Sequence, residues 1–240
     1  EDVVYQMMSG AVEVLNEAGC ALVGGHTGEG RELALGFAVN GLIDPDDVMS
    51  KGGLRAGDVL LLTKPIGTGT LFAAHAKLAA KGRWIDSALA SMMQSNKDAA
   101  QCLRRYGSRA CTDVTGFGLL GHLVEMTRPS GVDAELDLSA IPILPGAEET
   151  AAAGILSSLQ PANIRLRRGI RDQEKWVNHP RYPLIFDPQT AGGLLASVPA
   201  DQADACISEL KAMGYPHTAI IGRVLPQDES GPIEPITLRD

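Results

Sequence analysis

An α+β fold, with mixed sheets and helices packed on one face, is what this sequence predicts. Short apolar runs suited to buried strands alternate with longer stretches of helical period. The later runs are separated by helical segments and hairpin signals between them are weak, which favours an antiparallel or mixed sheet. The composition agrees: 27 glycines and 4% aromatics suit a turn-rich mixed protein better than an all-helical bundle.

Taken in order, Val4, Met8, Ala11, Val12 and Leu15 recur at helical spacing, and Gly19 closes that helix. Residues 20–23 read as a short buried strand running into Gly24-Gly25-His26-Thr27. Residues 33–43 read as a second strand, which Asp44 and Pro45 end. Lys51, Gly52, Gly53 and Gly57 make a turn-rich connector, so a domain boundary is expected at about residue 55, giving domains 1–55 and 56–240. Residues 59–63 form a strand, an alanine-rich helix follows over 71–81, and residues 85–105 carry further helical pattern. A helix is expected from the Asp113 region to about residue 127, then a strand at 134–138. Between 142 and 183 the pattern weakens, and the cluster Arg165, Arg167, Arg168 and Arg171 reads as a solvated face. Strands are expected at 184–186, 194–198 and 219–224. Asp201 should cap a helix whose apolar stripe is Ala203, Cys206, Ile207 and Leu210.

Size and charge bound the function. A chain of 240 residues, 45% hydrophobic, can bury one large core or two smaller ones. A net charge of −8 argues against nucleic acid or an anionic membrane as the principal partner. An anionic substrate would need metal ions, backbone amides and a few local cations to neutralise it. No apolar run reaches the roughly 18 residues of a membrane span, so no membrane partner is expected. Cys20, Cys102, Cys111 and Cys206 lack metal-ligand or Cys-x-x-Cys spacing and read as buried, reduced thiols, which fits the cytoplasm. The chain starts at Glu1 already in helical pattern, as a fragment that begins inside a domain would.

Four segments could carry chemistry. The run Asp113-Val-Thr-Gly-Phe-Gly-Leu-Leu-Gly-His122 sets a carboxylate beside three glycines where an apolar helix begins. A carboxylate can hold magnesium, and glycines let amides approach a phosphate; Asp113 could equally be a helix N-cap. Gly24, Gly25, His26 and Thr27 follow a buried strand, with backbone donors, a ring and a hydroxyl, and read otherwise as an ordinary turn. Residues 64–70 glance at a phosphate loop, but Lys64 precedes Gly67 and Gly69, so a strand-to-helix turn is the better reading. Asp187 and Pro188 start a turn well, and Gly192-Gly193 permits a close backbone approach.

Together these pieces resemble selenophosphate synthetase (selenide, water dikinase), of the aminoimidazole-ribonucleotide-synthetase superfamily. The matching residues are Gly24–Thr27, the loop from Leu62 to Gly69, Ser95 and Asn96, the segment 112–123 that contains Asp113, Asn163, and the run from Asp187 to Leu194. The resemblance spans nearly the whole chain. It implies an enzyme that converts selenide, ATP and water to selenophosphate, AMP and phosphate, as a homodimer using Mg2+. It also implies that Asp113 is a metal ligand and that Gly24, Gly25, His26 and Thr27 contact ATP across the dimer interface. Residues 1–55 would then be the remainder of an N-terminal ATP-binding domain, and 56–240 the C-terminal synthetase domain.

Two departures stand out. The family's catalytic cysteine or selenocysteine and its lysine have no counterpart here, so the catalytic residues are expected outside this chain and the fragment alone is expected to be inactive. After Thr27 the chain reads Gly-Glu-Gly-Arg-Glu-Leu, more like synthetase domains fused behind another domain. Two other readings remain open: another ATP-dependent enzyme of the superfamily, or a non-catalytic nucleotide-binding or dimerisation module.

Overall fold

In the computed structural model, which describes residues 1–230 and 234–240, the leucines of β1 (Val59–Leu62) are wholly buried. Such burial is worth about 2 kcal/mol for each leucine. Five more strands complete one sheet: β2 (Cys111–Asp113), β3 (Val132–Asp137), β4 (Leu194–Val198), β5 (Ala219–Pro226) and β6 (Ile236–Arg239). Their order is β2-β4-β1-β5-β3-β6. The β3–β6 pair is parallel and the other four are antiparallel, so the sheet is mixed, as expected.

Alternation along the strands sends neighbouring residues into two cores. Leu60, Leu62 and Leu195 join the larger core, whereas Leu61, Leu194, Ala196 and Val198 join the smaller one. The larger core is covered by α2 (Thr68–Ala76), α3 (Gly82–Met93), α5 (Gly118–Ser130) and α6 (Ala147–Ala152). The smaller is covered by α4 (Lys97–Arg105) and α8 (Ala203–Ala212), and the short α7 (Gln160–Asn163) buries Gln160 and Asn163. Helices therefore occupy both faces, with the larger set on one. The apolar stripe of α8 does include Cys206 and Leu210.

Several local expectations are revised. Residues 184–186 are not a strand but part of a 3-10 turn, Tyr182–Phe186, started by Pro183. A short apolar run has no period that separates the two, and the prolyl ring favours the turn. The helical pattern over 85–105 breaks into α3 and α4 at residues 94–96. Asp201 does not cap α8: it lies in the 3-10 turn Ala200–Gln202, and Gln202 holds the cap position. The arginine cluster divides, because Arg165, Arg167 and Arg168 are exposed whereas Arg171 is partly buried and paired with Asp133.

The chain forms two units, residues 1–42 and 43–240. In the first, α1 (Asp2–Ala18) ends at Gly19 in the left-handed region, as its spacing predicts. The runs 20–23 and 33–43 do not form strands among the described residues. Leu22, Val23 and Leu42 are instead exposed. An apolar extended run becomes a strand only when neighbouring backbone takes its N–H and C=O groups, and residues 1–42 supply no such neighbour. No helix among the described residues is long and apolar enough to cross a membrane.

Candidate functional site

Strand direction brings three of the motif segments to one end of the sheet. β4 runs antiparallel to both β1 and β2, with Leu195 opposite Leu62 and Thr112. The end of β1, the end of β2 and the start of β4 therefore coincide. From them extend the loops 63–70, 113–118 and 187–193.

Gln189 ties the first loop to the third. Its Oε1 accepts from the amides of Gly67 (2.9 Å) and Thr68 (3.2 Å) and from the Thr68 hydroxyl (3.1 Å). Its Nε2 donates to Asp187 Oδ2 at 3.0 Å. The amides at the start of α2 are thus occupied by the protein itself, which is why the look-alike of a phosphate loop is a structural turn. Gly69 lets the loops meet, since a Cβ there would sit 2.5 Å from the Pro188 carbonyl oxygen. Gly192 does the same for the second and third loops, with Val114 O only 2.2 Å from where its Cβ would be.

Lys64 is almost wholly buried, and its ammonium donates to the carbonyls of Ser91 (3.2 Å), Gln94 (2.8 Å) and Ala191 (2.9 Å). Three carbonyls match the three N–H donors of an ammonium, while burial pulls its pKa down to about 8. The group ties the end of α3 to the third loop, which Asn96 also holds through Gly192 O at 2.9 Å. Lys64→Met should therefore loosen residues 190–193 and destabilise the fold by about 2 kcal/mol, since three carbonyls lose the donor that joins them. A urea midpoint unchanged from the parent would contradict this.

Asp187 is fully buried and accepts from Thr70 Oγ1 at 2.8 Å. Burial lifts its pKa to about 6, with hydrogen bonds from Thr70 and Gln189 opposing the rise. It is a buried tie between loops rather than a ligand facing solvent. Asn163 closes the arrangement by donating to Gly116 O (2.8 Å) and Phe186 O (3.0 Å).

Asp113 ends β2 and is exposed. Its neighbours on either side are buried, and its carboxylate takes no hydrogen bond or ion pair among the described residues. It is not an N-cap, since α5 begins at Gly118 with Phe117 in the cap position. Behind it lies His122, which is 3% exposed. His122 Nε2 accepts from the Thr115 amide at 3.0 Å, and its Nδ1 lies 3.3 Å from Glu125 Oε2. Burial holds the ring below the usual imidazole range, with Glu125 partly opposing. The neutral tautomer with hydrogen on Nδ1 leaves Nε2 free to accept from Thr115, while Nδ1 approaches Glu125 without a well-formed hydrogen bond.

Gly24, Gly25, His26 and Thr27 lie in the 1–42 unit, exposed on the extended segment after α1. The cysteines offer no nucleophile in the 43–240 unit: Cys102 and Cys206 are buried, and burial pushes Cys111 and Cys206 up to about 12. Cys20 and Cys111 are only partly buried. Among the described residues no three acidic, histidine or cysteine side chains gather as a metal cage. Mg2+ is commonly held by one or two carboxylates together with substrate phosphates, so a lone free carboxylate fits as one of its ligands.

Sequence reasoning missed the roles of Gln189 and His122. A lysine set against the apolar run 59–63 was a usable signal that Lys64 is buried; nothing comparable marked Gln189.

Comparisons with known proteins agree with this architecture. Residues 55–233 match the family described as AIR synthase related protein, C-terminal domain. The chain is 37% identical over 230 residues to selenide, water dikinase 2 of Peptoclostridium acidaminophilum, covering 95% of this chain and 65% of that protein. It is 40% identical over 222 residues to a selenide, water dikinase of Nitratidesulfovibrio vulgaris strain Miyazaki F, covering 90% and 62%. The chain thus spans slightly less than two thirds of these relatives. Among solved structures, hydrogenase maturation protein HypE superposes with a TM-score of 0.59 at 19% identity, over 82% of this chain and 53% of HypE. Thiamine-monophosphate kinase from Stenotrophomonas maltophilia gives 0.56 at 16% identity, over 82% and 54%. At these identities the structures establish a shared fold.

Proposed function

Because the chain belongs to the AIR synthase related family through its C-terminal domain, we propose that this protein serves selenophosphate synthesis from selenide, ATP and water, with AMP and phosphate released. The observation that carries the reading is Asp113, an unpartnered carboxylate presented at the end of β2 by three interlocked loops. The 37–40% identity to proteins named selenide, water dikinase supports the choice of substrates.

In this reading Asp113 would be one of the residues that hold Mg2+ for the phosphates of ATP. When bound, magnesium would supply positive charge to offset the repulsion between adjacent phosphates. The chain's own part is to present that carboxylate at a fixed position. The ties of Gln189, Lys64 and Asn163 keep the loops from yielding when a charged substrate arrives. The amides of Gly24 and Gly25, with His26 and Thr27, supply donors to ATP in a homodimer. The domain division at about residue 55, the use of Mg2+ and a cytoplasmic location belong to the same proposal. The four cysteines are given no part in handling selenium, because none has the glycine and lysine neighbours that the resemblance calls for.

The test is Asp113→Asn in the intact protein, with selenide, ATP and Mg2+, reading selenophosphate by phosphorus NMR and AMP by chromatography. Removing a metal-binding charge should lower turnover by roughly a hundredfold or more, about 3 kcal/mol of transition-state stabilisation. Full metal-dependent turnover in the variant would overturn the assignment.

A further inference from the structure

The turn between β2 and α5, residues 113–117, is held by both backbone and side-chain partners. Val114 N donates to Gly193 O (2.9 Å), and Thr115 O accepts from the amides of Gln189 (3.0 Å) and Gly118 (3.0 Å). Gly116 O takes the Asn163 amide group at 2.8 Å. The Thr115 amide donates to a side chain: Nε2 of His122, at 3.0 Å, with the Thr115 hydroxyl 3.3 Å from the same nitrogen. His122 sits on the second turn of α5, buried, with its ring 5.8 Å from that of Phe117. Glu125 on the same helix faces Nδ1 and is itself paired with Lys51 at 2.8 Å. A chain of contacts therefore runs from Lys51 through Glu125 and His122 to the turn that carries Asp113.

We propose that His122 is a positioning residue for Asp113: by accepting the Thr115 amide through Nε2, it fixes the turn that presents the metal-binding carboxylate. This deepens the function proposed above and rests on Asp113 being a magnesium ligand. A histidine that only filled space in α5 would need no acceptor aimed at a loop amide. Without that acceptor the half-buried Thr115 amide has no protein partner, and the turn gains a reason to open toward water. Asp113 lies two residues away and would lose its fixed direction.

Two variants separate the acceptor from the ring. His122→Ala removes both, whereas His122→Gln places a carbonyl oxygen near the position of Nε2. Each is examined in the intact protein, with thermal unfolding as a check that it folds. Amide hydrogen exchange at Thr115 is read without ATP or metal, and the Mg2+ concentration for half-maximal AMP formation is read in the assay. The expected result for His122→Ala is exchange at Thr115 at least tenfold faster and a magnesium requirement raised by about tenfold, with kcat at saturating metal changed less. His122→Gln should bring both back to within about threefold of the parent. Unchanged Thr115 protection in His122→Ala would overturn the proposal. So would equal losses in both variants, which would make the ring's volume the relevant property. If instead Asp113→Asn leaves the magnesium requirement as it was, the metal assignment falls, and Thr115 exchange still decides whether His122 holds the turn.

Discussion

Gly192→Ala is expected to cost the 43–240 unit most of its stability. The new methyl would lie 2.2 Å from Val114 O and 3.1 Å from Gln189 Cβ, and the nearer obstacle is backbone that cannot rotate away. Relief requires the second and third loops to separate, which breaks the Val114 N to Gly193 O hydrogen bond and disturbs the start of β4. Overpacking of this kind with loss of buried hydrogen bonds costs about 4 kcal/mol, a large part of what holds a typical domain together. Gly116→Ala is the matched comparison, because nothing lies within 4 Å of its would-be Cβ. That variant should stay within about 0.5 kcal/mol of the parent. Chemical denaturation of the pair measures both, and similar midpoints would refute the close approach at Gly192.

Asp187 makes the second large prediction, and it concerns pH. The folded protein raises this carboxyl from its ordinary 3.8 to about 6, so between those values the folded state binds more proton than the unfolded chain. Stability contributed by Asp187 is then fully present below about pH 3.8 and is lost as pH rises through about 6. A shift of roughly two units corresponds to at most about 3 kcal/mol. Asp187→Asn removes the titration but also sets an amide NH2 against either Gln189 Nε2 or the Thr70 hydroxyl, each of which donates to Asp187 in the parent, so its absolute stability is a poor guide. The informative quantity is the difference between parent and variant as a function of pH. Relative to the variant, the parent should lose about 2 to 3 kcal/mol between pH 4 and pH 7. A flat difference would mean that Asp187 is not buried and unpaired with a cation in solution.

Gly192 and Asp187 also show what was readable from residues alone and what was not. The glycine pair and the Asp187–Pro188 turn start were legible as a place where backbone comes close or bends, because only certain residue types tolerate such geometry. What they come close to was not legible. Val114 O and Gly192 are nearly eighty positions apart in the chain, and only the antiparallel placement of β4 between β1 and β2 brings them together. The same holds for Gln189, whose side chain occupies the amides of α2 and turns an apparent phosphate loop into a structural one.

The strands tell a similar story. Residues 59–63, 134–138, 194–198 and 219–224 read as strands from their apolar residues and fold as such, within a residue or two of the expected ends. Residues 20–23 and 33–43 have the same character but remain unpaired among the described residues, since strand formation depends on a neighbour that local sequence cannot supply. Residues 184–186 fail for the opposite reason: Pro183 and the pull of Asn163 on Phe186 O favour a tight turn over an extended run.

By itself, then, the order of residues determined the mixed α and β character, the helices with clear apolar period and the segments worth watching for chemistry. These follow from side-chain pattern and backbone permission, both local properties. Tertiary structure alone decided that helices cover both faces, that Lys64 and Asp187 are buried ties, and that Asp113 is left free at the end of β2. Those outcomes depend on hydrogen-bond partners and packing neighbours remote in the chain, and they are set only when the strands take their order in the sheet.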